Sequence, residues 1–322
     1  LTATTKTQVL ITGANGFVGQ ALCATAVSSD FLIKGVVRVP QSLPAAVETV
    51  VIGAIDGNTD WHNALQGINV VVHLAARVHI MNDQSADPLS DFRKTNVDGT
   101  LNLAKQAALA GVQRFVFISS IKVNGESTPL GQPFHADDEP MPMDAYGLSK
   151  REAEDALRQL AVETGMDVVI IRPPLVYGAG VKANFLNMMR WLDKGIPLPL
   201  GAIHNQRSLV ALDNLVDLII TCITQPAAAN QTFLVSDGDD MSTSQLLRRM
   251  ARALGKSARL LPVPAWLLQS GASLLGKHAV AQRLCGSLQL DISKTRQLLN
   301  WTPPVSVDEA LRKTAQAYRL SL

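Results

Sequence analysis

Residues 9–19 read VLITGANGFVG, and the order of residue types in this stretch decides the fold. Val9 to Thr12 are apolar or β-branched, as a strand buried on both faces of a parallel sheet must be, and a helical pattern follows over 20–27. Between them stand Gly13, Gly16 and Gly19. Gly13 can turn sharply off the strand, Gly16 lacks the Cβ that would hold a pyrophosphate away from the backbone, and Gly19 lets the helix pack closely on the sheet. The pyrophosphate then rests on the helix N-terminus, among Asn15, Phe17 and Val18, where free N–H groups and the helix dipole favour an anion. Strand, glycine turn and helix in this order predict a dinucleotide-binding unit, whereas an isolated glycine triplet would predict only a tight turn.

The chain around this stretch has 322 residues, enough for one large domain or two unequal ones. Hydrophobic residues at 47% against 17% charged make a globular composition, with no low-complexity tail and no internal repeat. A net charge of +2, with basic residues dispersed along the chain, carries no signature of a polyanion partner, so nucleic acid is not expected. Cys23, Cys222 and Cys285 are odd in number and lack any C-x-x-C spacing. No metal site or redox pair is expected from them, and a reducing compartment is. The first residues, LTATTKTQ, have no basic segment followed by an apolar core, and no apolar run reaches the ~18 residues of a membrane helix. A cytoplasmic protein without membrane insertion is the expectation.

Further strands are expected over 31–37 (FLIKGVV), 50–52, 70–76 (VVVHLAA), 115–119 (FVFIS) and 168–171, with helical patterns over 57–67, 91–110 and 146–163. Strand and helix in strict alternation imply an α/β fold, a Rossmann-like doubly wound parallel sheet whose strand C-termini converge on one ligand-binding edge. Leu74, Ala75 and Ala76 fall on that edge and line the cofactor, while His73 beside them is expected to be hydrogen-bonded in place. Arg38, ending the second strand, stands where an adenine ribose arrives; Arg pairs with a 2′-phosphate where an acidic residue would hold both ribose hydroxyls. NADP(H) is therefore favoured, with NAD(H) as the alternative. Gly99 inside a helical pattern costs ~1 kcal/mol relative to Ala and points to close approach by another element. Ser120 follows the fifth strand onto the ligand edge, and Tyr146 and Lys150 share one helix face, where the ammonium can sit near the phenol oxygen.

Past Arg172 the alternation loosens, which places a dinucleotide-binding domain with the candidate catalytic residues over 1–172 and a smaller α/β substrate domain over 173–322. The apolar segment 262–276, PVPAWLLQSGASLLG, lacks a basic face of its own. It is expected to be a packed helix or pocket lid rather than a membrane-surface helix.

With Gly13, Gly16, Gly19, Ser120, Tyr146 and Lys150 in hand, the chain resembles the extended short-chain dehydrogenase/reductase family, in particular its nucleotide-sugar epimerases, dehydratases and 4-ketoreductases. TGANGFVG, HLAA, NVDGT, FISS, YGLSK and LLNWTPP occur in the family's order over essentially the whole chain. The resemblance implies that Tyr146 is the general acid/base at a sugar hydroxyl or carbonyl, that Ser120 hydrogen-bonds the same oxygen, and that Lys150 lowers the phenol pKa and holds the nicotinamide ribose. It implies further cofactor contacts from Ile55, Asp56, Asn96 and Pro173, and a nucleoside diphosphate held by Asn184, Arg207 and Arg283. Three positions depart from the pattern. Ala54 replaces an Asp that often holds the adenine, Arg38 replaces an acidic residue of many epimerases, and Leu175 in RPPLVYG replaces an Asn. HLAARVHIM and DISKTRQLLNWTPPVS are more similar to the 4-ketoreductases of bacterial surface-polysaccharide sugar pathways.

The leading expectation is an NAD(P)-dependent enzyme that transfers a hydride at hexose C4 and reduces a UDP-4-keto sugar. The alternative is a 4-epimerase of UDP-glucose or UDP-N-acetylglucosamine, which uses the same residues twice. A dehydratase is disfavoured because Ile121 and Lys122 stand where an acid/base pair for elimination would follow Ser120. A non-catalytic cofactor sensor would have no use for a complete set of Ser120, Tyr146 and Lys150. The resemblance also implies a homodimer formed through the 91–110 and 146–163 helices.

Overall fold

The computed structural model of the chain describes residues 6–29, 31–78, 87–274 and 278–321. The chain opens with β1 (Thr7–Thr12), α1 (Phe17–Val27), β2 (Phe31–Val37) and β3 (Val47–Val51), then α2 (His62–Leu65) and β4 (Val70–His73). Helices α3 (Pro88–Arg93) and α4 (Thr100–Leu109) flank a π-helical turn, Lys94–Gly99, and lead to β5 (Arg114–Ile118), α5 (Ala145–Thr164) and β6 (Asp167–Arg172). The remainder holds β7 (Leu175–Tyr177), α6 (Ala183–Asp193), β8 (Leu209–Ala211), α7 (Leu212–Thr224) and β9 (Thr232–Leu234). Helices α8 (Thr243–Ala253), α9 (Ala265–Leu274), α10 (His278–Cys285), α11 (Ser293–Leu299) and α12 (Val307–Leu320) complete it. Seven strands form one parallel sheet in the order β3-β2-β1-β4-β5-β6-β9, and β7 pairs with β8 in a separate parallel pair. This is the expected doubly wound sheet, and its winding reverses between β1 and β4.

Both faces of the sheet are covered, which is why its central strands read as unbroken apolar runs. Val9 and Ile11 of β1 face a core layer shared with Leu22 and Cys23 of α1 and Leu215 and Ile219 of α7, while Leu10 faces Leu103 of α4 and Leu157 of α5. A third cluster joins Phe185 and Met189 of α6, Leu247 and Met250 of α8, and Leu311 and Ala315 of α12. Among the described residues no helix is long and apolar enough to cross a membrane.

Arg172 is where the chain first leaves the sheet, but residues beyond it return. β9 pairs with β6 and α7 packs in the layer of α1. Arg114, at the start of β5, fastens this return: its guanidinium donates to the carbonyls of Cys222 (2.9 Å), Ile223 (3.2 Å) and Gln225 (2.9 Å), where a helix C-terminus leaves acceptors unpaired, and also to Asp167 (3.0 Å).

Several elements differ from their sequence expectation: the helix expected over 57–67 is the single turn His62–Leu65, and the strand expected over 50–52 runs Val47–Val51. The strand expected over 70–76 ends at His73, so HLAA bends out of the sheet at the ligand edge, and the helix expected over 91–110 is broken into α3 and α4 by the π turn. Gly99 closes that turn because a Cβ there would lie 2.9 Å from the Ile55 carbonyl oxygen, which is the close approach its place in a helix calls for.

His73 is fully buried between the hydroxyls of Thr12 (2.7 Å) and Thr100 (3.0 Å) and hydrogen-bonds both, joining β1, β4 and α4. Its hydrogen-bonded place is the one the sequence suggests; burial, and then the Lys150 charge, push its pKa down to about 3, so it is also held neutral. The unfolded chain, with an ordinary histidine, binds a proton below about pH 6.5 that the native state refuses. Native stability is therefore lost as pH falls through the window between these two values, at roughly 1.4 kcal/mol per unit. His73→Asn should lower stability at neutral pH, and the gap between wild type and variant in denaturant melts should narrow as pH is lowered from about 7 to about 4. A gap that stays constant would show that His73 does not titrate in this way.

Candidate active site

The C-terminal edge of the sheet collects the candidate site from three strand ends and the starts of two helices. Gly13 leaves β1 at φ +68°, and a Cβ there would lie 3.0 Å from the backbone nitrogen of Ala75, just past β4. A Cβ on Gly19 would stand 2.1 Å from the Gly13 carbonyl oxygen, closer than non-bonded atoms can come, so only glycine lets α1 reach its seat. Gly16 precedes α1 with its N–H on Gly13 O at 2.9 Å and no side chain capping the helix. The first N–H groups of α1, at Phe17 and Val18, are thereby left for an external acceptor. A cradle that a Cβ would fill, beneath an uncapped helix start and beside Leu74, Ala75 and Ala76, fits a dinucleotide pyrophosphate.

At the ribose end, Arg38 is exposed just past β2 and makes no hydrogen bond or ion pair among the described residues. Asn15 donates to Gln41 Oε1 at 3.0 Å, tying the glycine turn to the segment that follows Arg38. Ile55 is buried against the π turn, and Asp56 uses one carboxylate oxygen within its own turn, accepting from Asn58 N–H (3.0 Å) and Thr59 Oγ1 (3.3 Å).

Tyr146 and Lys150 lie one turn apart on α5, whose start is capped by Asp144 Oδ1 accepting the Gly147 N–H at 2.7 Å. Asp144 also pairs with Lys122, whose ammonium reaches Glu126 at 2.7 Å, so the segment after β5 is tied to the start of α5. Ser120 is half-buried beside it, its Oγ accepting the Lys122 N–H at 3.2 Å, and Pro173, buried past β6, accepts the Ile121 N–H at 3.0 Å. The Tyr146 ring packs edge-on against Phe92 of α3, with centroids 5.8 Å apart. Lys150 is buried, its ammonium 4.3 Å above the Phe117 ring and donating to Ile118 O at 2.9 Å.

Burial, helped by the Asp144 charge, pushes the Tyr146 phenol up to about 12, so it carries its proton at neutral pH. Burial draws Lys150 down to about 7 against the opposing charge of Glu154, so it exchanges its proton near neutrality.

Asn96 stands in the π turn, the kind of helix irregularity often found at functional sites. Its Oδ1 accepts Arg77 N–H at 2.8 Å, and its Nδ2 donates to Arg77 O (3.1 Å) and Ser149 Oγ (3.0 Å). Both amide hydrogens are thus taken up by protein. Asn96 brackets the HLAA exit to α5 immediately before Lys150.

On the substrate side, Arg207 is half-buried and donates to Gly286 O at 3.0 Å. Burial and then the neighbouring Arg283 charge loosen its hold on its proton, so the structure brings these two arginines together. Asn184 is exposed in the first turn of α6 and makes no side-chain hydrogen bond among the described residues. Residues 287–291 run between this region and the loop after Ser120: Ser208 N–H donates to Leu288 O (2.8 Å), and Phe134 N–H to Gln289 O (2.8 Å).

Sequence reasoning missed the polar cluster beneath Lys150. Glu154, fully buried, accepts from Ser119 Oγ (2.5 Å), Arg172 Nε (2.9 Å) and Arg172 Nη2 (2.6 Å), and Arg172 also donates to Asn124 Oδ1 (2.9 Å). This locks the ends of β5 and β6 to the helix that carries Tyr146 and Lys150, and removing one partner of such a pair costs about 3–5 kcal/mol. The signal was present: Glu154 repeats the Tyr146–Lys150 spacing on a face that must be buried, and Arg172 ends an apolar strand.

Comparison with known proteins gives the same architecture and a sequence relationship. A UDP-glucose 4-epimerase of Vibrio cholerae is 51% identical over 312 residues, 96% of this chain and 95% of the relative. An N-acetyl-alpha-D-glucosaminyl-diphospho-ditrans,octacis-undecaprenol 4-epimerase of Escherichia coli O157:H7 is 29% identical over 322 residues, covering 96% of this chain and 94% of the relative. Among solved structures, a UDP-N-acetylglucosamine 4-epimerase from Bacillus cereus superposes with a TM-score of 0.80 over 97% of this chain and 99% of that one, at 21% identity, a likeness of fold. Residues 9–236, which span the glycine cradle, Ser120, Tyr146, Lys150 and the returning strand β9, match the model of the NAD dependent epimerase/dehydratase family, and the chain is an enzyme that belongs to that family.

Proposed function

We propose that this chain is a 4-epimerase of UDP-hexoses that works with NAD(H). The observation that carries the reading is the 51% identity, over 96% of the chain, to a UDP-glucose 4-epimerase, in a chain whose Ser120, Tyr146 and Lys150 converge on one sheet edge. That likeness favours the epimerase over the 4-keto-sugar reductase expected first from the sequence. NAD in the glycine cradle supplies the acceptor and then the donor of the C4 hydride. Tyr146 takes the proton of the C4 hydroxyl as the sugar is oxidised, and returns it to the C4 oxygen once the keto sugar has presented its other face. Ser120 Oγ hydrogen-bonds the same oxygen, and Lys150 lends the positive charge that a phenol of high pKa requires. Arg207 and Arg283 hold the diphosphate, each with the planar fork that suits phosphate oxygens, and Asn184 adds a contact.

A homodimer through α4 and α5 is supported by Leu109 and Val162, which lie exposed near the C-terminal ends of those helices. A cytoplasmic location is supported by three unpaired cysteines whose thiols burial pushes up, away from reactivity.

One observation favours the reductase with NADP(H) as a second reading: Arg38 is exposed and unpaired among the described residues where a 2′-phosphate would arrive. The two readings differ in how tightly the cofactor is kept, because an epimerase must retain it while the keto sugar turns and a reductase must exchange it every cycle. Denatured protein should release NAD on chromatography, and purified enzyme should interconvert UDP-glucose and UDP-galactose without added cofactor. Protein that purifies empty and consumes NADPH with a UDP-4-keto-hexose would replace the epimerase with the reductase. Arg38→Asp should leave NAD binding intact under the first reading, and weaken NADPH binding by tenfold or more, roughly one lost charge-assisted pair, under the second. Equal losses for both cofactors would make Arg38 structural. Tyr146→Phe should cut turnover by about 10²–10⁴ with cofactor affinity nearly unchanged, and turnover like wild type would remove Tyr146 from the chemistry.

A further inference from the structure

Residues 241–290 contain seven Lys and Arg and no Asp or Glu, although the whole chain has a net charge of only +2. What sets this part apart, which builds α8, α9 and α10, is the absence of acidic residues along its own length; Arg249 and Lys256 pair with acids on other segments, Asp239 and Asp193. The same part holds an apolar helix whose outer face has no partner among the described residues. A packed helix or pocket lid is expected over 262–276, of which 275–276 lie outside the described residues, but α9 is not packed: it has no buried residue, Trp266 is 63% exposed and Leu267 45%, and of its residues Ala265 and Leu268 lean on the C-terminal core.

The chain entering α9 is held flat by a short ladder. Leu198 N–H donates to Arg259 O (2.9 Å), Leu261 N–H to Leu198 O (2.8 Å) and Gly201 N–H to Leu261 O (2.9 Å). Leu260 turns into the core, which leaves Arg259 and Leu261 facing outward with the alternation of a strand. The Arg259 guanidinium lies beside Gly195, and the next residue, Ile196, is exposed and donates its N–H to the carbonyl of exposed Trp191 (3.0 Å). Arg248 flanks the ladder, donating to Gly201 O at 3.2 Å, and Arg252 lies one turn further along the exposed face of α8. Arg252 and Arg259 make no ion pair among the described residues. Apolar and tryptophan side chains therefore open to solvent beside two arginines, Arg252 and Arg259, that no carboxylate among the described residues neutralises.

We propose that this face docks the protein on the surface of an anionic phospholipid bilayer, with Trp266, Leu267 and Leu261 entering the headgroup boundary and Arg248, Arg252 and Arg259 lying over the headgroups. Tryptophan is the side chain best suited to the boundary between water and acyl chain, and arginine keeps its charge at the headgroups while its stem covers apolar surface. Each basic residue near the surface adds to the attraction, and buried apolar area adds a part that salt does not screen. The same charge argues against a second copy of the chain as the occupant, since a two-fold contact would set positive against positive. α10 packs on α9 and carries Arg283, so a docked molecule keeps the arginine pair of the substrate side next to the bilayer.

The test uses the full chain in flotation with vesicles of phosphatidylglycerol and phosphatidylcholine, or phosphatidylcholine alone, with tryptophan emission read in parallel. Trp61 and Trp301 are buried, so a change in emission reports Trp191 and Trp266. Binding to the anionic vesicles should exceed binding to phosphatidylcholine by about tenfold or more, with a blue shift in emission. Trp266→Ser with Leu267→Ser should reduce vesicle binding about tenfold and remove most of the shift, while the thermal melt of these exposed positions stays that of wild type. Arg252→Glu with Arg259→Glu should erase the preference for anionic lipid. No flotation with anionic vesicles at low salt would overturn the proposal, as would undiminished binding of the Trp266→Ser, Leu267→Ser variant. So would a wild-type dimer in solution that this variant dissociates, because the face would then belong to a second copy.

Discussion

The contact on which the candidate site depends is the one between the start of α1 and the turn that follows β1. A Cβ at Gly19 would stand 2.1 Å from the Gly13 carbonyl oxygen, so the helix and the turn occupy space that any other residue would deny them. Gly13, at positive φ, then brings the turn against Ala75 past the end of β4. Because the winding of the sheet reverses between these two strands, nothing crosses the gap between their ends, and a crevice remains where an anion can meet the helix N-terminus. A side chain at Gly19 would push α1 off the turn, and one at Gly13 would press on Leu74 and Ala75 past β4.

The other half of the site is held by buried polar groups rather than by shape. Glu154 binds Ser119 and Arg172, Asn96 binds Arg77 and Ser149, and His73 binds Thr12 and Thr100, and each of these sets joins elements that are far apart in the chain. Apolar packing would tolerate small sliding of α5 over the sheet, whereas a carboxylate shared between two strand ends accepts only one position. Tyr146 and Lys150 stand on that helix. Burial disfavours the charged form of both and so moves their pKa values apart, the phenol up to about 12 and the ammonium down to about 7, while the Glu154 charge keeps the ammonium from falling further.

The C-terminal part does two jobs with one stretch of chain. Residues near Arg207 and Leu288 form a ladder with the loop after Ser120, while α7 and β9 extend the first core. What is left, α9 and the strip before it, contributes little to either core. Its apolar residues are therefore free of the packing constraint that governs the strands, and they form the face proposed to dock on a bilayer.

The sequence by itself determined the sheet and its ligand edge, because glycine spacing, apolar strands and the Tyr146–Lys150 repeat are local patterns whose geometry follows from backbone sterics and helical period. It likewise carried the reason for Gly99 and the hydrogen-bonded place of His73, since an odd residue inside a regular pattern points to a neighbour even when it does not name it. Only the tertiary structure decided which neighbour. Ile55 against Gly99, Arg172 against Glu154 and Arg283 beside Arg207 each bring together separate elements of the chain, and such pairing depends on how the elements pack. The return of β9 past Arg172 and the exposure of α9 belong to the same class. Whether an apolar segment such as 262–276 is core or surface is not written in its own residues, because burial is a property of what the rest of the chain places over it.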